Sequence, residues 1–293
     1  MQLLKSYLMA ARTPDEFRNA YINALFSSGP LQKNRAIALK HYMKPDTVRR
    51  IEQVDLAKKR TSQILDDKIP CAFVINGRKK SFLSYTKKIL TKDPTSVHDL
   101  YGFRVILDDT RLGTKNMTLL CYDVAKWLID EFQTRFLYEV KEVKTNSNGI
   151  LSDEIRNGIY IPSPENIDIA DYSKLIKNYI MLPKDNGYQG LHILLCTQQD
   201  FFIEVQIRTW SMHLWAEYGL ANHKQIYKPK DDIDLIIANK PTDFLSLITP
   251  SQIGEKITIG EMPKLPNIAW TKKPRNALCT VGLSPFEKLR TWQ

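Results

Sequence analysis

Phe201-Phe202-Ile203-Glu204-Val205-Gln206-Ile207-Arg208-Thr209 is the stretch on which the reading of this chain turns. Ile203, Val205 and Ile207 alternate with Glu204, Gln206 and Arg208. A period of two sets the apolar side chains on one face and a carboxylate, an amide and a guanidinium on the other, the pattern of a strand with one buried face. The preceding run, Tyr188 to Thr197, is also strand-like, and Gln198-Gln199-Asp200 suits a hairpin connection. A connection with an odd number of residues would pair His192 with Gln206 and bring both onto the polar face. Tyr188 would lie two pleats further along. Alternation alone equally describes an ordinary half-wet hairpin, so the polar face acquires meaning only from the motifs around it.

Two upstream segments carry such motifs. Cys71 to Ile75 reads as a short apolar strand, Asn76-Gly77 as punctuation, and Arg78-Lys79-Lys80 as the entry to a helix from about Ser81 to Lys92, stopped by Asp93-Pro94. Cations at a strand-to-helix junction suit a polyphosphate: Arg offers planar paired donors, Lys a compact charge, and the helix start unpaired N–H groups. Taken alone, a basic cluster is more often solvated surface. The second segment, His98-Asp99-Leu100-Tyr101-Gly102-Phe103-Arg104-Val105-Ile106-Leu107, sets an acid at the mouth of an apolar strand. A lone Asp there is commonly a cap or turn residue.

The strings Asn186-Gly187-Tyr188-Gln189 and Glu204-Val205-Gln206-Ile207-Arg208-Thr209, with these upstream segments in order, resemble the synthetase domain of the RelA/SpoT family, including its small alarmone synthetase and toxic branches. The resemblance covers roughly Cys71 to Lys228. It implies an α+β fold, a mixed β-sheet flanked by helices and related to nucleotidyltransferases. It further implies transfer of the β,γ-pyrophosphate of ATP to the 3′-hydroxyl of GDP or GTP, with Mg²⁺ as cofactor. On that resemblance Asp99 and Glu204 are the catalytic, metal-holding acids. Arg78, Lys80, Ser84, Lys88, Arg104 and Lys177 are the ATP-binding group. Tyr188 stacks on the acceptor base, with Asn186, His192 and Gln206 beside it. One departure stands out: the family's Arg-x-Lys-Asp pattern is Leu175-Ile176-Lys177-Asn178 here, so Lys177 is kept while the Arg and Asp are replaced.

Composition sets the frame. The 293 residues, 43% hydrophobic and 25% charged, suit one main globular domain with additions. Cys71, Cys121, Cys196 and Cys279 are far apart, which points to a reduced, cytoplasmic setting with neither a disulfide framework nor a zinc site. No run is long enough for a membrane span, so no membrane partner is expected. The net charge of +10 favours a polyanionic ligand and keeps tRNA open as an alternative acceptor. Basic clusters lie at Lys58-Lys59-Arg60, Arg78-Lys79-Lys80 and Lys272-Lys273-Pro274-Arg275. A third reading is a catalytically dead nucleotide- or RNA-binding module, which the presence of both acids and Tyr188 disfavours. An antitoxin or trigger protein, and a second copy of the chain, remain open as partners.

Punctuation suggests the remaining elements. Thr13-Pro14-Asp15-Glu16 is a capping box ahead of Phe17, Tyr21 and Leu25. Helices are expected over Lys33 to Met43, from Pro45 to roughly Asp66, and around Leu120, Val124, Trp127, Leu128 and Glu131; Arg135 to Lys144 reads as a strand and 146–171 as a long loop. A helix from Trp210 to Tyr227 carries His213 and His223, whose spacing fits packing better than metal binding. The expected division is an N-terminal helical extension over 1–68, the synthetase-like domain over 69–228 and a Pro-rich C-terminal extension over 229–293, with short helical runs near Thr242 to Leu247 and Pro285 to Trp292. The chain before Cys71 holds one histidine, too little for a metal hydrolase, so synthesis without degradation is expected.

Overall fold

The computed structural model describes residues 1–44, 47–110, 114–135, 139–140, 175–184, 186–197, 201–218 and 232–264. Seven strands form one sheet: β1 (Phe73–Lys79), β2 (Tyr101–Leu107), β3 (Glu139–Val140), β4 (Ile176–Asn178), β5 (Leu191–Cys196), β6 (Phe202–Thr209) and β7 (Ser251–Ile259). Their order is β3-β5-β6-β2-β1-β7, with β4 also on β5. β2 and β6 run parallel and the other pairs antiparallel, so the sheet is mixed. The hairpin register follows the odd-connection argument, with Cys196 opposite Phe202 and His192 opposite Gln206.

One face of the sheet is dry. Phe73, Ile75, Phe103, Val105, Ile193, Ile203, Val205 and Ile207 point into a core closed by α4 (Thr47–Lys68) and α6 (Thr114–Arg135), which contribute Val54, Leu65, Val124, Leu128 and Phe132. Each such side chain contributes about 1.5–3 kcal/mol on full burial, so this face determines the register. The opposite face carries the polar alternates. Residues on neighbouring strands line up in rows across it: Asn76, Arg104, Gln206, His192 and Lys177 in one, Arg78, Gly102 and Glu204 in the next.

A second core lies beside the sheet. It joins α1 (Gln2–Ala10), α2 (Pro14–Phe26), α3 (Pro30–Met43) and α5 (Phe82–Thr91) through Leu4, Leu8, Phe17, Tyr21, Leu25, Leu39, Phe82 and Ile89. The α2 start is capped as the sequence implies, Glu16 N–H donating to Thr13 Oγ1 at 3.1 Å; the Glu16 carboxylate returns to the Arg12 N–H at 2.7 Å. Helix α1 has no capping signal and was not foreseen from the sequence.

Several expectations change. Asn76-Gly77 does not end the first strand, because β1 continues through Arg78 to Lys79. The glycine is needed for close approach instead: a Cβ on Gly77 would stand 2.6 Å from the Ile253 carbonyl oxygen, at the point where the β1–β7 register slips. The expected strand over 135–144 is described only at Glu139 and Val140, while Arg135 ends α6. Helix α7 runs over Trp210–Tyr218; the rest of its expected length, His223, the loop 146–171 and Pro285 to Trp292 lie outside the described residues.

The C-terminal stretch enters both cores. Helix α8 (Asp232–Ala238) and the 3-10 turn Thr242–Leu247 insert Ile233, Ile237, Phe244 and Leu247 among the N-terminal helices. β7 then adds to the β1 edge. Lys58 is the pin: fully buried, its ammonium donates to the Ile253 and Glu255 carbonyls at 2.8 and 2.7 Å and pairs with Asp55 at 3.1 Å. Lys58 is therefore no part of a surface basic patch, and Arg60 is engaged with Glu131, leaving Lys59 as the solvated member.

Candidate active site

The polar sheet face brings most of the expected site residues together. Asp99 sits just before β2 and accepts from Lys80 at 2.6 Å and from Lys88, which reaches it from the last turn of α5. Lys80 follows β1, and its N–H donates to the Leu100 carbonyl at 2.8 Å, so strand pairing fixes the distance from cation to acid. Burial would raise the Asp99 carboxyl, but Lys80 and Lys88 outweigh it and the opposing charge of Glu204, and hold it below the usual range. Burial lowers the Lys80 ammonium, with Asp99 acting against that fall.

Glu204 anchors a hydrogen-bonded chain along the next rows. His192 Nδ1 lies 3.1 Å from its Oε1, Gln206 Nε2 donates to its Oε2 at 2.6 Å, and Arg78 stands 3.8 Å away. Tyr188 Oη is 2.8 Å from His192 Nε2. Burial lowers the imidazole, so His192 is neutral at neutral pH and gives its one proton to Glu204. Burial would raise Glu204; the hydrogen bond from His192, the charge of Arg78 and the Gln206 amide reverse that and keep it ionised. Burial raises the Tyr188 hydroxyl, leaving it protonated as donor to Nε2. The protons therefore run in one direction, from Tyr188 through His192 to the carboxylate. Gly102 makes room for this: a Cβ there would lie 2.3 Å from the Glu204 carbonyl oxygen.

The other expected residues fall around this centre. Arg104 donates from Nε to Gln206 Oε1 at 3.1 Å and from Nη1 to Glu217 at 2.7 Å. Lys177 lies opposite His192 on β4. Asn186 shapes the turn before Tyr188, accepting from the Tyr188 N–H at 3.2 Å, while its carbonyl takes the Trp215 indole N–H at 3.4 Å. Gly187 at φ 76° completes that turn under Trp215. Ser84 is placed differently from the ion cluster: it stands in the first turn of α5, its hydroxyl accepting from the Ser81 cap at 2.8 Å.

Two groups escaped the sequence reading. Lys184 lies 4.5 and 4.8 Å from the ring centroids of Tyr179 and Tyr188, a cation held over two aromatic faces. Glu217 bridges Arg104 and Arg208 from α7. Lys184 was legible as the cation closest before Asn186-Gly187-Tyr188; Glu217 had no local signal beyond being the sole acid of its helix.

The donor set suits a hard divalent cation. Asp99 Oδ1 is buried and has no hydrogen-bond partner, while Glu204 offers a second ionised carboxylate from the neighbouring strand. Among the described residues no group of three or more His, Cys, Asp or Glu converges. Two carboxylates could hold Mg²⁺ if other oxygens completed its shell. No helix among the described residues is long and apolar enough to cross a membrane.

Residues 163–232 match the family described as "Region found in RelA / SpoT proteins". Over 196 residues it is 27% identical to the bifunctional (p)ppGpp synthase/hydrolase SpoT of Escherichia coli, covering 66% of this chain and 21% of that protein. It is 31% identical over 160 residues to the probable GTP diphosphokinase RSH3 of Arabidopsis thaliana, covering 54% of this chain and 16% of that one. The chain thus spans about a fifth of the length of these relatives or less. Among solved structures, small alarmone synthetase 1 of Bacillus subtilis bound to its product pppGpp is similar with TM-score 0.40 and 16% identity, over 67% of this chain and 85% of that one.

Proposed function

We propose that this protein transfers the β,γ-pyrophosphate of ATP to the 3′-hydroxyl of a guanine nucleotide, GDP or GTP. The observation that carries the reading is the convergence of Asp99 and Glu204, both ionised, within a ring of Lys80, Lys88 and Arg78 on one sheet face. The activities for which the SpoT and RSH3 relatives are named support the reaction class.

The residues divide the work as follows. Arg78, Lys80 and Lys88 neutralise the triphosphate and hold it for in-line attack, which is most of what phosphoryl chemistry asks of a protein. Arg104, Lys177 and the Ser84 turn complete the donor side. Asp99 and Glu204 would hold Mg²⁺, which when bound withdraws charge from the phosphate oxygens. Glu204 accepts the proton of the 3′-hydroxyl as the new bond from that oxygen to the β-phosphorus forms and the bond to the α-phosphate oxygen breaks, releasing AMP. His192 keeps Glu204 aimed, and Tyr188 with Lys184 and Asn186 receives the acceptor. Incubation with γ-labelled ATP and GDP, GTP or bulk tRNA, followed by separation of products, tests the reading; label found on none of the nucleotides overturns it.

The net charge of +10 favours one second reading, the 3′ end of tRNA as acceptor. Contacts to several RNA phosphates would make activity fall steeply between low and moderate salt, whereas a single nucleotide should respond weakly.

A further inference from the structure

Glu217 is the one acidic residue between Val205 and Tyr218. Helix α7 carries it to the end of the polar face, where its Oε1 accepts from Arg104 at 2.7 Å and from Arg208 at 3.1 Å. The Arg104 guanidinium is therefore held at two different nitrogens, by Gln206 within the sheet and by Glu217 from the helix. Two contacts in the guanidinium plane stop its rotation and fix its orientation, which one contact would not. Arg208 adds a second demand on the same oxygen: it is 1% exposed, its Nε has no partner, and among the described residues Glu217 is the acid that pairs with it. Burial and the charges of Arg208 and Arg78 lower Arg104 to about 9, and Glu217 opposes them. Without that carboxylate, Arg104 would keep its Gln206 contact alone of the two, and Arg208 would lose the acid that pairs with it.

We infer that Glu217 is a positioning residue of the nucleotide face, which sets donor affinity by holding Arg104 in place and does not itself touch substrate. The inference rests on the proposed reading, in which Arg104 meets the donor nucleotide. Glu204 and Gln206 sit on β6 and Arg104 on β2, so a helix that locks Arg104 also joins the donor side to the strand bearing the general base. A disturbance at Glu217 should be felt more on the donor than on the acceptor, among whose groups Gln206 meets Arg104 while Tyr188 and His192 lie further along the rows.

Equilibrium binding of a non-transferable ATP analogue and, separately, of GDP tests this in the wild type, Glu217→Gln, Glu217→Ala, Arg104→Ala and the double variant. Glu217→Ala should weaken the ATP analogue about tenfold or more, the scale of one charge-assisted hydrogen bond, and GDP much less. Glu217→Gln keeps an acceptor oxygen and should lose less. In the Arg104→Ala background, removing Glu217 should cost nothing further. Equal losses for both nucleotides, additive effects of the two substitutions, or wild-type affinity in Glu217→Ala would each overturn the inference. Should Glu217→Ala unfold, Glu217→Gln alone and paired with Arg104→Ala carries the same comparison. Failure of the wild type to bind the ATP analogue would overturn the proposed function, and the inference with it.

Discussion

Glu204 shows how much of this site depends on single atoms. Its charge is kept by a neutral histidine that donates, an amide that donates and an arginine at longer range. On the proposed reading, Glu204→Gln removes the base and one metal-binding charge together, and Asp99→Asn the other acid; each is expected to lower pyrophosphate transfer on the order of a hundredfold or more, measured by labelled-product formation. Tyr188→Phe keeps the ring but removes the donor to His192 Nε2, so a moderate loss of rate is expected. Tyr188→Ala should raise the acceptor KM strongly, by roughly the 1–3 kcal/mol of a base–aromatic contact. An Ala variant with unchanged acceptor KM would show that the ring packs rather than binds.

Acid should destabilise the fold through histidines as well as carboxylates. Burial lowers His213 from 6.5 to about 3, and lowers His192 also. Below pH 6.5 the unfolded chain gains protons that the folded chain refuses, so stability falls as pH drops through that value and continues to fall towards pH 3. Asp99 and Glu204, both depressed, add a further loss below the ordinary carboxylate range. His213→Gln should flatten the pH dependence of Tm between pH 6.5 and 4, which thermal unfolding would read directly.

At the level of elements, the attachment of β7 is decisive. Gly254, at φ 60°, has no room for a side chain, since a Cβ would stand 1.9 Å from Asp55 Oδ1. Gly254→Ala should therefore lower Tm through both backbone strain and displacement of Asp55 from Lys58. Lys58→Glu would aim a buried carboxylate at two carbonyl oxygens, and a loss of about 3 kcal/mol or more is expected from denaturant unfolding. A chain ending at Lys228 would uncover the β1 edge and remove Ile233, Ile237, Phe244 and Leu247 from the helical core. Aggregation or loss of a cooperative transition is expected, rather than a folded protein of altered activity.

Across the whole molecule, what could be read from sequence was what repeats locally. Alternation from Ile203 to Arg208 identified the polar face, and the parity of one connection placed His192 beside Gln206. Asp99, Lys80 and Lys88 were legible through the spacing of a known motif. Glu217 was not, because its meaning depends on how α7 is docked across β2 and β6, a relation between elements that no short window contains. β7 was hidden for a different reason: Glu255 interrupts the set Ile253, Ile257 and Ile259, and the register slip at Gly77 breaks the period that would reveal a strand. Lys58 looked like surface because a lysine in a basic triplet usually is; its carbonyl partners come from nearly 200 residues away.

Asp99 holds both Lys80 and Lys88 on a single oxygen in the protein as it stands. The site is thus its own counter-ion, and a triphosphate arriving there exchanges partners instead of meeting vacant charge. Nucleotide affinity should then be lower than the count of cations suggests, since each new phosphate contact is offset by one surrendered to the aspartate. Asp99→Asn would release the lysines from that competition. Measured without added metal, this variant should bind a non-transferable ATP analogue more tightly than the wild type does.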